Sequence, residues 1–296
     1  MPAASLQGDS RVSVVNVGES PEPAMGQLLS SLALPSTAKT ICIKLNLCEY
    51  RKAETGCTSD PSVVGALLQS LRNRYENSRI ILIEGDSTNT TADTLFNYLG
   101  ISSVAKQHRC ELHNISASEW VKMSIEGLRF KLVHVPKILT ECDLYITHPK
   151  LKTHSLTKIS CGLKNQFGCL RPKNKTPFHK KIDETIVDAN IARKPDFSIV
   201  DANICMEGIG GPIHGTPKRV GLFIGGNDIV AVDSLCAKVA GFRPFFVGHI
   251  RKAARCGLGR MNFDLSSKSA YSLPKGQLKF ERAQYYALKL MRTRLR

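Results

Sequence analysis

LYITHPKLKTHSLTKISCGLKNQFGCLRPKNKTPFHKKI, residues 144–182, holds nine Lys or Arg and three His without one Asp or Glu. Leu144, Tyr145, Ile146 and Thr147 have strand character, and Pro149 biases His148 toward an extended conformation and turns the chain soon after. From His154 the spacing predicts a helix. At about 100° per residue Leu156, Ile159, Leu163, Phe167 and Leu170 fall on one side, and His154, Lys158, Cys161 and Asn165 on the other, with Lys164 on the flank. Like charges packed this closely repel, and a bound anion or a set of nearby carboxylates would offset the repulsion. The stretch reads as an anion-binding wall, against the alternative of a solvated basic face.

Working outward, the basicity is concentrated. Residues 144–182 contribute +9 and residues 249–296, with twelve basic and two acidic residues, +10, which leaves −3 for the remainder of the formal +16. The second patch ends in KGQLKFERAQYYALKLMRTRLR, a basic amphipathic helix suited to docking on its own domain, an acidic partner, nucleic acid or a membrane surface. The 296 residues, 42% hydrophobic and 22% charged, describe a globular chain large enough to bury a core. No run of 18 apolar residues occurs and the N-terminus lacks a basic start before an apolar run, so neither a membrane span nor a secretory signal is expected. The ten cysteines are scattered with no CxxC. Reduced, mostly buried thiols in a cytoplasmic protein are the reading.

Along the chain, VSVVNV (12–17) is a first strand and residues 24–34 a short helix. TICIKLNL (40–47) is a strong strand with Lys44 and Asn46 on one face by period two. Burying a lysine demands a partner, so Lys44 is expected at the strand end facing a ligand or a carboxylate, or else snorkelling at a sheet edge. Asp60-Pro61 starts a helix as N-cap and first-turn proline, and that helix leads into RIILIEGD (79–86). Strand, helix, strand implies a crossover and parallel pairing, which gathers Lys44, Asn46, Glu84 and Asp86 at the carboxyl ends where such sheets bind ligands. Short helices follow in 91–108, strands at 110–116 and 129–136, a helix at 183–193 and further strands at FSIVDAN (197–203) and VGLFIGGND (220–228). The glycines at 208, 210, 211 and 215 suit either an oxyanion cradle or a structural hairpin loop. The resulting expectation is an α/β fold, a mainly parallel or mixed sheet with flanking helices. It divides into an N-terminal strand and helix (1–39), a main domain (40–262) and a basic helical tail (263–296).

The pattern resembles a widespread prokaryotic family, domain of unknown function 362, over most of residues 40–260. The matching pieces are Lys44 with Asn46, Thr58-Ser59-Asp60-Pro61, Glu84-Gly85, His148-Pro149-Lys150-Leu151-Lys152-Thr153-His154, and Gly162-Leu163-Lys164-Asn165 with Phe167-Gly168. They continue with Asp201, Glu207-Gly208, Gly210-Gly211-Pro212, Gly215, Asn227-Asp228, Ala231-Val232-Asp233 and residues 249–259. Many members look like iron–sulfur proteins through ferredoxin-type modules after this domain, and this sequence has no such cysteine motif. The resemblance also implies an analogy with lactate-racemase-like proteins, metal-cofactor enzymes with catalytic His and Lys.

The residues support three readings. The first is an enzyme acting on a small carboxylate- or phosphate-bearing metabolite. His148, His154 and Lys164 would be its acid/base and nucleophilic candidates, and Lys44, Asn46, Lys150, Lys152, Asn165, Glu207, Gly210, Gly211 and Asp233 would bind substrate. The alternative for the lysines is a buried ionic network with strand-end acids. The second reading is a metal or iron–sulfur dependent oxidoreductase with His148, His154 and Cys161 as ligand candidates. The third is a non-catalytic nucleic-acid-binding protein, disfavoured by 6% aromatic content. Substrate, reaction and oligomeric state are not encoded in any motif.

Overall fold

The alternation in TICIK sets the layering: Ile41 and Ile43 point into one apolar cluster and Cys42 into another, so both faces of this strand are buried. The computed structural model describes residues 10–171, 174–208 and 211–265. In order, β1 (Arg11–Asn16) and α1 (Pro21–Ser31) lead to β2 (Thr40–Lys44), α2 (Pro61–Arg74) and β3 (Arg79–Glu84). Helices α3 (Ala92–Tyr98) and α4 (Ile101–Gln107) precede β4 (Glu111–Asn114), the hairpin β5 (Trp120–Ser124) and β6 (Leu132–Pro136), then α5 (Lys137–Glu141) and β7 (Leu144–Thr147). The basic stretch supplies β8 (Lys150–His154), β9 (Lys158–Ser160) and the single turn α6 (Gly162–Asn165). After α7 (Ile182–Ala192) come β10 (Phe197–Glu207), β11 (Thr216–Gly226), α8 (Ile229–Val239), α9 (Gly248–Arg255) and β12 (Asp264–Leu265).

The main sheet runs β12-β1-β11-β10-β7-β2-β3-β4, with β8 joined to β10 and β9. Strands β7, β2, β3 and β4 are mutually parallel, and β10 runs parallel to both β7 and β8. Antiparallel pairing of β11 with β1 and β10 makes the sheet mixed. The expected α/β architecture with flanking helices is the one observed. Met25, Leu28, Leu67, Leu71 and Phe96 cover one face; Tyr145, Ile186, Val187, Leu235 and Ile250 belong to the cluster on the other. Each fully buried Leu or Ile contributes about 1.5–3 kcal/mol of transfer free energy. Asp60 caps α2 by accepting from the Ser62 N–H at 2.9 Å, with Pro61 in the first turn as its sequence position requires.

The helix expected from His154 is replaced by an antiparallel hairpin in which Lys152 faces Ser160, Thr153 faces Ile159 and His154 faces Lys158. Two local features oppose a helix. Thr153, Thr157 and Ile159 are β-branched and favour extended backbone, and Lys158 takes a left-handed φ of 69° that interrupts any helical run. Helical backbone resumes only at Gly162. The glycine-rich loop connects the antiparallel pair β10 and β11, with Gly208 at φ 87°.

The segment before residue 40 is built into the same sheet through β1, and β12 pairs in parallel with β1. The predicted tail helix lies in 266–296, outside the described residues. Among the described residues no helix is long and apolar enough to cross a membrane.

The separate β5/β6 hairpin is anchored by one buried carboxylate. Asp188 on α7 accepts the backbone N–H groups of Leu128, Arg129 and Phe130 at 2.6, 2.8 and 2.8 Å. Asp188→Ala strands three donors, and the expected loss is about 2–4 kcal/mol. A denaturant titration reads it as a lower midpoint.

Candidate functional site

Period two places Lys44 on the face of Cys42, where its stem is buried and its charge needs a partner. The neighbouring parallel strand provides one: Glu84, at the end of β3, lies 2.5 Å from the Lys44 ammonium, which also donates to the Leu45 carbonyl at 2.8 Å. Glu84 is saturated further by the Leu47 and Gly85 N–H groups at 2.7 and 2.8 Å. Lys44 thus does face a carboxylate at a strand end.

This pair forms part of the wall of a cavity of about 220 Å³ at the carboxyl ends of β2 and β3. Asn46, Cys48, Glu84 and Asp86 line it from the sheet side; Ser160, Lys164, Asn165, Phe167, Lys175 and His179 line it from the basic stretch. The acids there are already engaged, since Asp86 accepts the Ala92 N–H and the Asn114 amide, each at 2.9 Å. The cations are less committed. Lys164 is half-buried, and its ammonium makes no hydrogen bond or ion pair among the described residues, resting 5.3 Å over the Phe167 ring. Burial, then repulsion from Lys152, brings its pKa down to about 8, with Cys48 opposing. Among the described residues the Lys175 ammonium reaches only the Asp86 carbonyl, at 3.4 Å, and burial lowers its pKa too. His179 stacks on Phe167 with ring centroids 5.8 Å apart. Asn46 Oδ1 is buried with no hydrogen-bond partner among the described residues. Asn165 donates to Thr147 Oγ1 at 2.9 Å, which ties α6 to the end of β7.

Lys44, Asn46, Lys164 and Asn165 therefore share one concavity, and the other candidates read from sequence that fall among the described residues lie outside its lining. Lys150 is fully buried and bonded to Asp201 at 2.6 Å. Lys152 is buried and donates to the Cys57 carbonyl at 2.6 Å and the Cys48 sulfur at 3.3 Å. His148 Nδ1 donates to the Ile199 carbonyl at 2.7 Å, its Nε2 is buried without a partner among the described residues, and burial lowers its pKa. His154 Nδ1 accepts the Leu156 and Thr157 N–H groups at 3.0 and 3.4 Å and so closes the β8–β9 turn. Burial and the nearby Lys164 and Lys152 hold that imidazole neutral, well below its usual pKa. Asp233 accepts the Gly162 and Leu163 N–H groups at 2.8 and 3.0 Å, capping α6, and burial raises its pKa to about 6. Gly211 packs on β8, where an added Cβ would fall 2.2 Å from the Thr153 carbonyl oxygen. Glu207 pairs with Thr216 at the far end of β10, and Gly210 is outside the described residues.

Cys48 and Cys57, read from sequence as ordinary thiols, flank a loop that folds back so that their sulfurs lie 3.7 Å apart beside Lys152. Gly56 closes this loop at φ 71°, and a Cβ there would fall 2.2 Å from the Cys205 carbonyl oxygen. The hydrogen bond from Cys57, with help from Lys152, holds the Cys48 thiol down at about 5 in spite of burial. Two cysteines nine residues apart around Gly56 were the available signal.

His148, His154 and Cys161 do not form a ligand set. Both imidazoles are turned to backbone groups, and Cys161 is buried in the core, interacting with Cys236 and Asp233. Among the described residues no three His, Cys, Asp or Glu side chains converge as a metal site. The three ligand candidates of the second reading therefore do not fit a shared metal or cluster.

These features define an α/β protein with a cation-bearing cavity at the carboxyl ends of parallel strands. The chain belongs to the family described as Domain of unknown function (DUF362), which matches residues 41–238. Over 136 residues it is 32% identical to the thylakoid-associated protein sll1697 of Synechocystis sp., a match spanning 44% of this chain and 42% of that protein. Its fold is similar to that of the lactate racemase apoprotein from Thermoanaerobacterium thermosaccharolyticum, with a TM-score of 0.52 and 14% identity over 81% of this chain and 58% of the other. The chain thus spans less than two thirds of either protein.

The split between structural and cavity lysines is measurable. Lys150→Met leaves Asp201 charged and buried, and a loss of about 3–5 kcal/mol is expected, most of it recovered in Lys150→Met/Asp201→Leu. Urea unfolding of the two variants checks both values.

Proposed function

We propose that this protein is an enzyme acting on a small metabolite anion bearing a carboxylate or phosphate, and that the cavity below β2 and β3 is where the anion binds. The observation that carries this reading is Lys164: a half-buried ammonium on the cavity wall with no carboxylate partner among the described residues, beside acids already spent on other groups. An uncompensated cation in a recess is costly, and a bound anion offsets that cost. Lys175 and His179 add positive or protonatable groups across from it, and the orphan Asn46 oxygen can accept a hydrogen bond from a ligand hydroxyl.

With its pKa near 8, Lys164 is partly neutral at physiological pH and can take a proton from a bound substrate or return one. Phe167 shields it from solvent on one side. The fold similarity to a protein named for lactate, a small hydroxycarboxylate, supports the carboxylate half of the substrate class. His148 and His154 serve the scaffold in this reading, one joined to β10 and the other closing the β8–β9 turn.

Isothermal titration calorimetry with inorganic phosphate and with lactate tests the site. Lys164 is cationic below its pKa and lactate keeps a single charge throughout, so lactate affinity is expected to fall as pH rises through about 8. Lys164→Ala is expected to weaken binding at least about tenfold, or 1.4 kcal/mol. Lys164→Arg stays charged, so it keeps binding and loses the pH dependence. Equal affinity in wild type and Lys164→Ala removes the assignment.

A further inference from the structure

We propose that Cys48 and Cys57 are a thiol–disulfide exchange site in the cavity wall, with Cys48 as the attacking thiolate and Cys57 as the resolving thiol. The geometry carries the assignment. Cys48 lines the cavity and can be reached from it, whereas Cys57 is fully buried behind it, and their sulfurs are 3.7 Å apart. The Lys152 ammonium is 3.3 Å from the Cys48 sulfur and is itself buried, so the cation it presents is poorly screened and stabilises a thiolate. Lys164 adds a second positive charge near Cys48 from α6, and Glu84 the opposing negative one. The reactants are small disulfides that fit the cavity.

The exchange balances as follows. The Cys48 thiolate attacks one sulfur of the small disulfide, forming a mixed disulfide and expelling one thiolate. That thiolate takes the proton of Cys57, and the Cys57 sulfur then attacks Cys48, expelling the second thiolate. The protein is oxidised by two electrons to a Cys48–Cys57 disulfide, and the small disulfide is reduced to one thiol and one thiolate, which takes from solvent the proton that Cys48 had released. No other co-reactant is needed.

The test uses the free protein and no anionic ligand, so its result is independent of the anion-binding reading. Native wild-type protein is alkylated with iodoacetamide from pH 6.5 to 8.5, and each cysteine is followed by peptide mass spectrometry. The Cys48 rate is expected to change by less than about twofold, while Cys110 and Cys256, whose thiols burial pushes up, speed up about tenfold per pH unit. In a separate, unalkylated sample, 2-hydroxyethyl disulfide should yield protein two hydrogens lighter with a Cys48–Cys57 cross-link. Cys57→Ser should stop at the mixed disulfide on Cys48, with circular dichroism confirming its fold. A Cys48 rate that climbs with pH like that of Cys110 overturns the proposal. So does a wild-type mixed disulfide on Cys48 that Cys57 never displaces.

Discussion

A lysine and a glutamate buried against each other at the ends of two adjacent parallel strands hold this structure's chemistry in place. Removing either charge from water costs several kcal/mol, and mutual attraction alone repays that only with near-ideal geometry. Lys44 and Glu84 meet the condition because the β2/β3 register sets Lys44 beside Ile83, next to Glu84, and because two backbone N–H groups complete the carboxylate's shell. The packing around the pair is correspondingly close. Gly168 passes so near that a Cβ there would lie 3.2 Å from the Lys44 nitrogen, and one on Gly85 would lie 2.8 Å from the Gly168 carbonyl oxygen. The turn carrying Phe167 is thereby pressed onto the strand ends, and the recess between them becomes the cavity.

The same constraint explains how nine basic side chains coexist in one stretch. Alternation along β8 sends Lys150 and Lys152 to one face and Leu151 to the core, and each buried ammonium finds its own acceptor: Asp201 for Lys150, the Cys57 carbonyl and Cys48 sulfur for Lys152. Lys158 donates outward to the Phe246 carbonyl at 2.7 Å. Lys150, Lys152 and Lys158 are thus relieved by separate acceptors, while Lys164 and Lys175, on the cavity wall, have no carboxylate partner among the described residues. Those two cations are what give the cavity its sign.

Much of the frame was legible in the sequence because it is local. The TICIK and RIILIE runs, the Asp60-Pro61 start and the acid closing β3 each depend on residues a few positions apart, whereas the strand read as 197–203 runs on to Glu207 and leaves Asp201 in its middle. The β8–β9 hairpin was not, since Leu156, Ile159 and Leu163 fit a helical spacing as well as a strand and turn. What settles it is distant: β10 offers its edge, with Asp201 opposite Lys150 and Met206 opposite Lys152. The site divides the same way. Lys44, Asn46, Lys164 and Asn165 follow from strand ends and motif, but the roles of His148, His154 and Asp233 are fixed by backbone partners that no spacing announces. The meeting of Cys48, Cys57 and Lys152 depends on a fold-back around one glycine and on a strand almost a hundred residues later.

Gly56 gives that fold-back a mechanical meaning. With its backbone seated directly on the Cys205 carbonyl and its φ at 71°, the 48–57 segment has no spacer between itself and β10. It acts as a bracket bolted to the sheet rather than a flap. Any residue larger than glycine at position 56 would pry the bracket loose, carrying one wall of the recess away from the strand it leans on.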